Sequence, residues 1–195
     1  MSIISKGNHK LSRAVGIFNL PSGKTCPGAT AECRKLCYAK KPERYSKQAL
    51  ASRMANLELS KQPDFVDLMV AEIAKAKVNF VRLHESGDVY DQAYLDKLYQ
   101  ICKLLQGSVR FLMYTKSFHL DWSGKPDNLT LYASTTDSTD LSRVPAGWPR
   151  AHLVLKGMQP PAGYVTCQPK SATGYCGKDC FTCFFGLENV YFEQH

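Results

Sequence analysis

Seven of the eight cysteines fall into two tight groups at opposite ends of the 195-residue chain. Cys26, Cys33 and Cys37 lie within KTCPGATAECRKLCYAKK, and Cys167, Cys176, Cys180 and Cys183 within VTCQPKSATGYCGKDCFTCFF. Any fold of this chain has to keep each group together. Thiolates spaced a few residues apart in a loop converge on one soft metal centre without straining the backbone. The division into three and four is itself informative. Four thiolates complete a tetrahedral metal or cluster site, whereas three leave one metal position open for chemistry. The eighth, Cys102, sits in the apolar run LYQICKLL and reads as a buried core thiol.

The C-terminal group has the spacing C-x3-C-x2-C after Cys167 and would saturate either zinc or a four-iron, four-sulfur cluster. Gly174 and Gly177 free the loop to wrap, and Phe181, Phe184, Phe185, Tyr191 and Phe192 are placed to exclude water. The N-terminal group is C-x6-C-x3-C, shaped by Pro27 and Gly28, with no fourth cysteine and no histidine in its loop. Zinc there would need a distant ligand such as His84, His119 or His195, whereas an iron–sulfur cluster tolerates three. Zinc remains the alternative metal for both groups. The segment MSIISKGNHKLSRAV lacks the apolar stretch of a secretory signal, so the expectation is a reducing cytoplasm and metal ligation rather than disulfides. No apolar run approaches the roughly 20 residues that span a bilayer, and no membrane association is expected.

Charge is uneven. The net value is +8, yet residues 1–61 hold twelve Lys or Arg against three acidic residues, and the remainder is nearly balanced. A basic N-terminal lobe around the first cysteine group can attract nucleic acid or an anionic cofactor, with Tyr38 and Tyr45 available for stacking. It equally serves as a solvated surface that offsets the negative charge of a thiolate-bound cluster.

Apolar segments at residues 14–21, 78–85, 109–116, 129–135, 151–157 and 164–169 read as six strands, the last delivering Cys167. Helical periodicity covers about 45–60, with Leu50, Met54 and Leu57 on one face. A second helix has Pro63 in its first turn and Phe65, Val66, Met69 and Ile73 on one face. A third is capped by Asp91 and stopped by Gly107. Strands alternating with helices predict an α/β fold with a parallel sheet and functional loops at the strands' carboxyl ends. Six strands are too few for a closed eight-unit barrel. The expectation is one domain over 1–195: an open or partial (β/α) barrel of mainly parallel strands over 14–163, and a cysteine-rich tail over 164–195 packed on it. The ending GLENVYFEQH resembles an engineered protease tag, but Val190 and Glu193 break that match and it is read as native.

A three-cysteine loop after a first strand, ahead of a parallel partial barrel, resembles the radical S-adenosylmethionine enzymes. More narrowly, CPGA…C…CYA, RLHESGD, YTKS and the cysteine-rich tail resemble a phage-encoded family usually labelled gene product eighty-eight, over residues 15–195. The radical-enzyme resemblance implies that Cys26, Cys33 and Cys37 hold a four-iron, four-sulfur cluster whose open iron chelates S-adenosylmethionine. Glu85, Ser86, Gly87 and Asp88 stand where that family binds the methionyl amine, with Glu85 or Asp88 as acceptor. Lys116 and Ser117 would meet the carboxylate, and Ser134 or Thr135 the carboxylate or ribose. Two departures are plain. The C-x3-C-x2-C spacing occurs in the C-terminal group instead, and the aromatic residue expected before the third cysteine is Leu36, with Tyr38 on its other side.

The leading expectation is therefore an iron–sulfur protein with one or two clusters, an external electron donor, and S-adenosylmethionine cleavage that starts radical chemistry on an unknown substrate in the host cytoplasm. The alternatives are a non-enzymatic cluster protein for electron transfer or nucleic-acid binding, and a zinc-stabilised domain.

Overall fold

A computed structural model describes residues 3–167 and 176–194. Among the described residues, eight strands form one sheet: β1 (Ser5–Lys6), β2 (Val15–Phe18), β3 (Phe80–Leu83), β4 (Arg110–Thr115), β5 (Leu129–Thr135), β6 (Arg150–Val154), β7 (Val165–Thr166) and β8 (Val190–Glu193). Their order is 1-2-3-4-5-6-8-7. Only β1 runs antiparallel, against β2. The others are parallel, pairing Val15 with Phe80, Phe80 with Arg110, Phe111 with Leu129, Ala133 with Arg150 and Ala151 with Val190. The edges do not meet, so the sheet is open.

Successive strands from β2 to β6 lie side by side in chain order, which requires a return connection over the sheet between each pair. The β2–β3 return contains α1 (Ala31–Leu36), α2 (Lys40–Tyr45), α3 (Lys47–Lys61) and α4 (Phe65–Ala76); β3–β4 contains α5 (Gln92–Leu104). Asp91 caps α5 by accepting the Tyr94 amide at 2.8 Å. Ser46 interrupts the predicted 45–60 helix, because its hydroxyl accepts the Ala49 amide and restarts the chain as α3.

Residue parity assigns the two faces. Phe18, Val81, Leu83, Phe111, Met113, Leu129 and Leu131 point toward the helices, where they pack with Phe65, Met69 and Ile73 of α4 and Leu95, Leu98 and Ile101 of α5. Cys102 is buried in that layer, as expected. Val15, Ile17, Leu112, Tyr132 and Ala151 point the other way. A parallel sheet with two apolar faces needs two covers. The second cover is the tail: Cys183 and Phe184 on the four-residue helix α6 (Thr182–Phe185), with Phe181 and Phe192. Thr130 fixes it by donating to the Phe184 carbonyl at 2.6 Å.

Three expectations need correction. The sheet has eight strands rather than six: β1 is too short to carry an alternation signal, and β8 lies in the VYFE segment of the tail. Val190–Glu193 thus takes a place in the sheet beside β6. Leu50 is 40 % exposed, and Leu57 carries the burial of α3. Pro63 precedes α4, whose N-cap is Asp64. No helix among the described residues is long and apolar enough to cross a membrane.

Candidate functional site

Parallel strands deliver their following loops to one edge of the sheet. The loop after β2 carries Cys26, Cys33 and Cys37; the loop after β3 carries Glu85–Asp88; Lys116 and Ser117 follow β4, and Ser134 ends β5. Close backbone approach locks these loops together. A Cβ on Gly28 would fall inside the Lys116 carbonyl, so the cysteine loop lies directly on the chain leaving β4. Gly87 has φ +83°, and a Cβ there would stand 2.6 Å from both Leu20 Cβ and Thr25 Oγ1. Glycine is needed at the first for space and at the second for space and dihedral.

The three thiols and their neighbours form one electrostatic group. Burial pushes Cys26 up to about 12; the Asp88 charge adds to this and the Gly23 amide opposes it. Burial also raises Cys33, against the pull of Lys116. Lys116 is itself lowered by burial, and Cys33, Asp88 and Glu32 partly restore its charge. Its Nζ donates to the Ser134 carbonyl at 2.6 Å. A shallow cleft of about 470 Å³, lined by Pro27, Gly28, Ala29, Thr30, His119 and Arg143, opens beside the loop. A larger one of about 680 Å³ lies at the amino ends of β6 and β8, away from the cysteines.

The residues expected to bind S-adenosylmethionine do share this edge, but the protein already engages most of them. Asp88 accepts from Thr115 Oγ1 (2.7 Å), the Val89 amide (2.8 Å) and the Lys116 amide (2.9 Å), which braces β3 to β4. Burial nevertheless holds its carboxyl above the usual range, because those three donors offset desolvation only in part. Glu85 accepts both its bonds from Asn8 Nδ2 at 2.9 and 3.0 Å. Ser86 donates to Glu43 at 3.3 Å, and Ser117 donates to the Val89 carbonyl at 2.6 Å. Tyr38 has a largely exposed ring, while its hydroxyl donates to the Glu85 carbonyl. Thr135 contacts His152 Nδ1 at 3.0 Å. His84, named from the sequence as a distant zinc ligand for the first group, turns into the core, where Nε2 meets Tyr94 Oη at 2.8 Å.

Cys167, Cys176, Cys180 and Cys183 are also neighbours. Burial pushes Cys167 and Cys176 up to about 12, with Cys183 the next contributor to each. Cys176 is held by its amide, which donates to the Lys10 carbonyl at 3.2 Å, and Cys167 by its amide to Tyr191 at 2.8 Å. Gly174, in the intervening stretch, lies outside the described residues. All eight cysteines are free thiols.

Among the described residues, no three His, Cys, Asp or Glu side chains stand gathered at metal-ligand distance around one point. What fits a soft metal or cluster is the chemistry of the donors. Seven sulfurs lie in two groups, and burial holds most of them protonated at neutral pH. Such thiols make poor nucleophiles, whereas a bound cation would ionise them outright.

Sequence reasoning missed Arg82, Glu32 and the Glu43–Arg53 pair. Glu43 receives the Ser22 amide and hydroxyl and Arg53 Nη1, the last at 2.8 Å, and ties the cysteine loop to α3. Burial would raise its carboxyl, but Ser22 and Arg53 together hold it below the ordinary value. Arg82 was legible as a charge in the middle of the apolar segment 78–85. The exposed basic residues Arg34, Lys35, Lys40, Lys41, Arg44 and Lys47 form the outer surface of α1–α3.

Comparison with known proteins agrees with the family suggested by the motifs. The chain is 31 % identical over 158 residues to the Gene 88 protein of Mycobacterium phage L5, and 29 % identical over 159 residues to that of Mycobacterium phage D29. Each match covers 72 % of this chain and 65 % of the relative, so the chain spans about two thirds of the phage proteins it matches. No solved structure matches it. The family model described as Gene product 88 matches residues 2–161, which include the first cysteine group and the strand-end loops but stop short of the second group; the chain belongs to the Gene product 88 family.

Proposed function

We propose that this protein is an iron–sulfur protein with an open cluster site at Cys26, Cys33 and Cys37 and a closed one at Cys167, Cys176, Cys180 and Cys183. The observation that supports this most is the seating of the three-cysteine loop. Gly28 clamps it onto the carboxyl edge of a parallel sheet, and its thiols lie beside Asp88, Lys116 and Glu32. Three thiolates leave a metal position free, and the neighbouring lysine supplies the positive charge that an anionic ligand would meet. The consecutive parallel order from β2 to β6 suits a partial barrel, and with it S-adenosylmethionine as that ligand. The cluster would supply the electron for cleavage. The chain's own part is to present Lys116 to the ligand's carboxylate, to place the strand-end loops around it, and to limit water at the half-buried thiols. Lys116 Nζ gives one of its three donors to the Ser134 carbonyl and keeps two, whereas most other polar groups at this edge are committed, so Lys116 is the residue on which binding should depend.

Anaerobically reconstituted protein should bind S-adenosylmethionine with a Kd that rises at least tenfold in Lys116→Met, and should cleave it under reduction. Iron-replete protein that neither binds nor cleaves it would remove the enzymatic reading. That result would leave a cluster protein working by electron transfer, or one whose basic α1–α3 surface meets nucleic-acid phosphates in the host cytoplasm.

A further inference from the structure

The C-terminal cysteines face three residues that the open site does not use. Arg82 of β3 is 7 % exposed and points to the tail-covered face of the sheet. Its guanidinium carbon lies 3.6 Å from the centroid of the Tyr114 ring of β4. Tyr114 packs edge-on at 5.3 Å against Tyr132 of β5. Tyr132 shares one buried cluster with Cys183, and Tyr114 and Cys176 pack against it; the Arg82 charge favours the ionised form of Cys167, Cys176 and Cys183. Tyr132 spends its one O–H on the Glu188 carbonyl at 3.0 Å, which anchors its ring. β3 and β4 thus place one permanent cation and one phenol hydroxyl beside a single thiol, with the Tyr132 ring of β5 packed against them.

We propose that Arg82 and Tyr114 are positioning residues for the four-thiol centre, with the Tyr114 hydroxyl orienting Cys183 as a ligand and Arg82 offsetting the charge of the assembled site. The inference rests on the reading of this group as a metal centre. Four thiolates around a divalent ion, or around a cluster of charge +2, carry a net charge of −2. Burying such a charge without a counter-cation is costly. A guanidinium stays protonated at any physiological pH and stacks on an aromatic face, so Arg82 supplies that cation without depending on solvent. Hydrogen bonds to a ligating sulfur fix its lone pairs and lower its electron donation to the metal.

Cobalt(II) titration of the full-length chain under anaerobic conditions tests this, because thiolate-to-cobalt charge-transfer absorption reports the sulfur directly. The signal lost in Cys183→Ser defines the contribution of this centre. In Tyr114→Phe, which removes one hydroxyl and keeps the ring, that band should shift and the cobalt Kd should rise about tenfold or more. Arg82→Met should weaken binding by a similar factor, and Arg82→Lys should recover part of it. A Kd within twofold of the parent and an unmoved band in both Tyr114→Phe and Arg82→Met would overturn the inference while leaving the ligands intact. An unchanged spectrum in Cys183→Ser would overturn the ligand reading itself, and the inference with it.

Discussion

Alanine at Gly28 should destabilise the protein by about 3 kcal/mol and displace the three-cysteine loop, although it adds one methyl group far from any helix or strand core. The added carbon would overlap the Lys116 carbonyl, which is backbone and is held in place by the β4–β5 pairing just before it. Neither partner can rotate away as a side chain would. In a chain of this size that loss lowers the melting temperature by roughly 6–12 °C. The same clash should loosen Cys26 and Cys33, so the Gly28→Ala protein should also lose metal to a chelator faster. Thermal melts together with metal retention check both halves. A variant that melts with the parent would mean that the loop does not lie on the sheet edge as described.

The second large effect is acid sensitivity traced to His84. Its side chain is 3 % exposed, its Nδ1 has no hydrogen-bond partner, and its φ is +62°. Burial, with the Arg82 charge adding to it, lowers its pKa from 6.5 to about 3. The unfolded chain therefore takes up a proton near pH 6.5 that the folded chain refuses. Stability from this group is complete above pH 6.5 and falls as the pH drops toward 3. The loss amounts to roughly 3 kcal/mol by pH 4.5 and on the order of 4 kcal/mol near pH 3. Glu43 adds to the acid limb only later. Its carboxylate is held below its ordinary value of 4.5, so its contribution fades below that pH. Asp88, whose carboxyl burial holds above its ordinary value, acts in the opposite sense, regaining stability as it takes up a proton. Within the window from pH 6.5 to 4.5, the difference between the parent and His84→Asn is therefore what isolates His84. Asn tolerates the left-handed backbone, and His84→Asn should flatten the stability profile across that window. Urea midpoints at pH 7.5, 5.5 and 4.5 for the two proteins measure this, and parallel profiles would refute it.

Much of this arrangement was legible in the sequence, for identifiable reasons. Strands and helices with a clear period, such as β4, β5 and α5, appear where the pattern places them. The Asp91 cap is likewise where its side-chain chemistry puts it. The parallel order followed from strands alternating with helices. What local pattern could not reveal was which partner each polar group would find. Glu85 and Asp88 look alike as acceptors in RLHESGD, yet Asn8, 77 residues away, takes the first, and the backbone of the β4 loop takes the second. His84 adjoins Glu85 in the sequence and was open as a distant zinc ligand, but its backbone is left-handed and its ring lies in the core. The tail was expected to pack on the core, but its elements were hidden, because α6 and β8 are each four residues long. Arg82 could have been suspected, since a charge inside an apolar strand needs a partner or a purpose.

The two thiol groups stand or fall as cluster sites on one determination: iron and acid-labile sulfide in anaerobically purified protein. Brown protein with iron and sulfide in equal amounts, both falling when Cys26 and Cys33 are replaced together and falling separately when Cys180 and Cys183 are replaced, is the expected result. Colourless protein that carries zinc and no sulfide would contradict it.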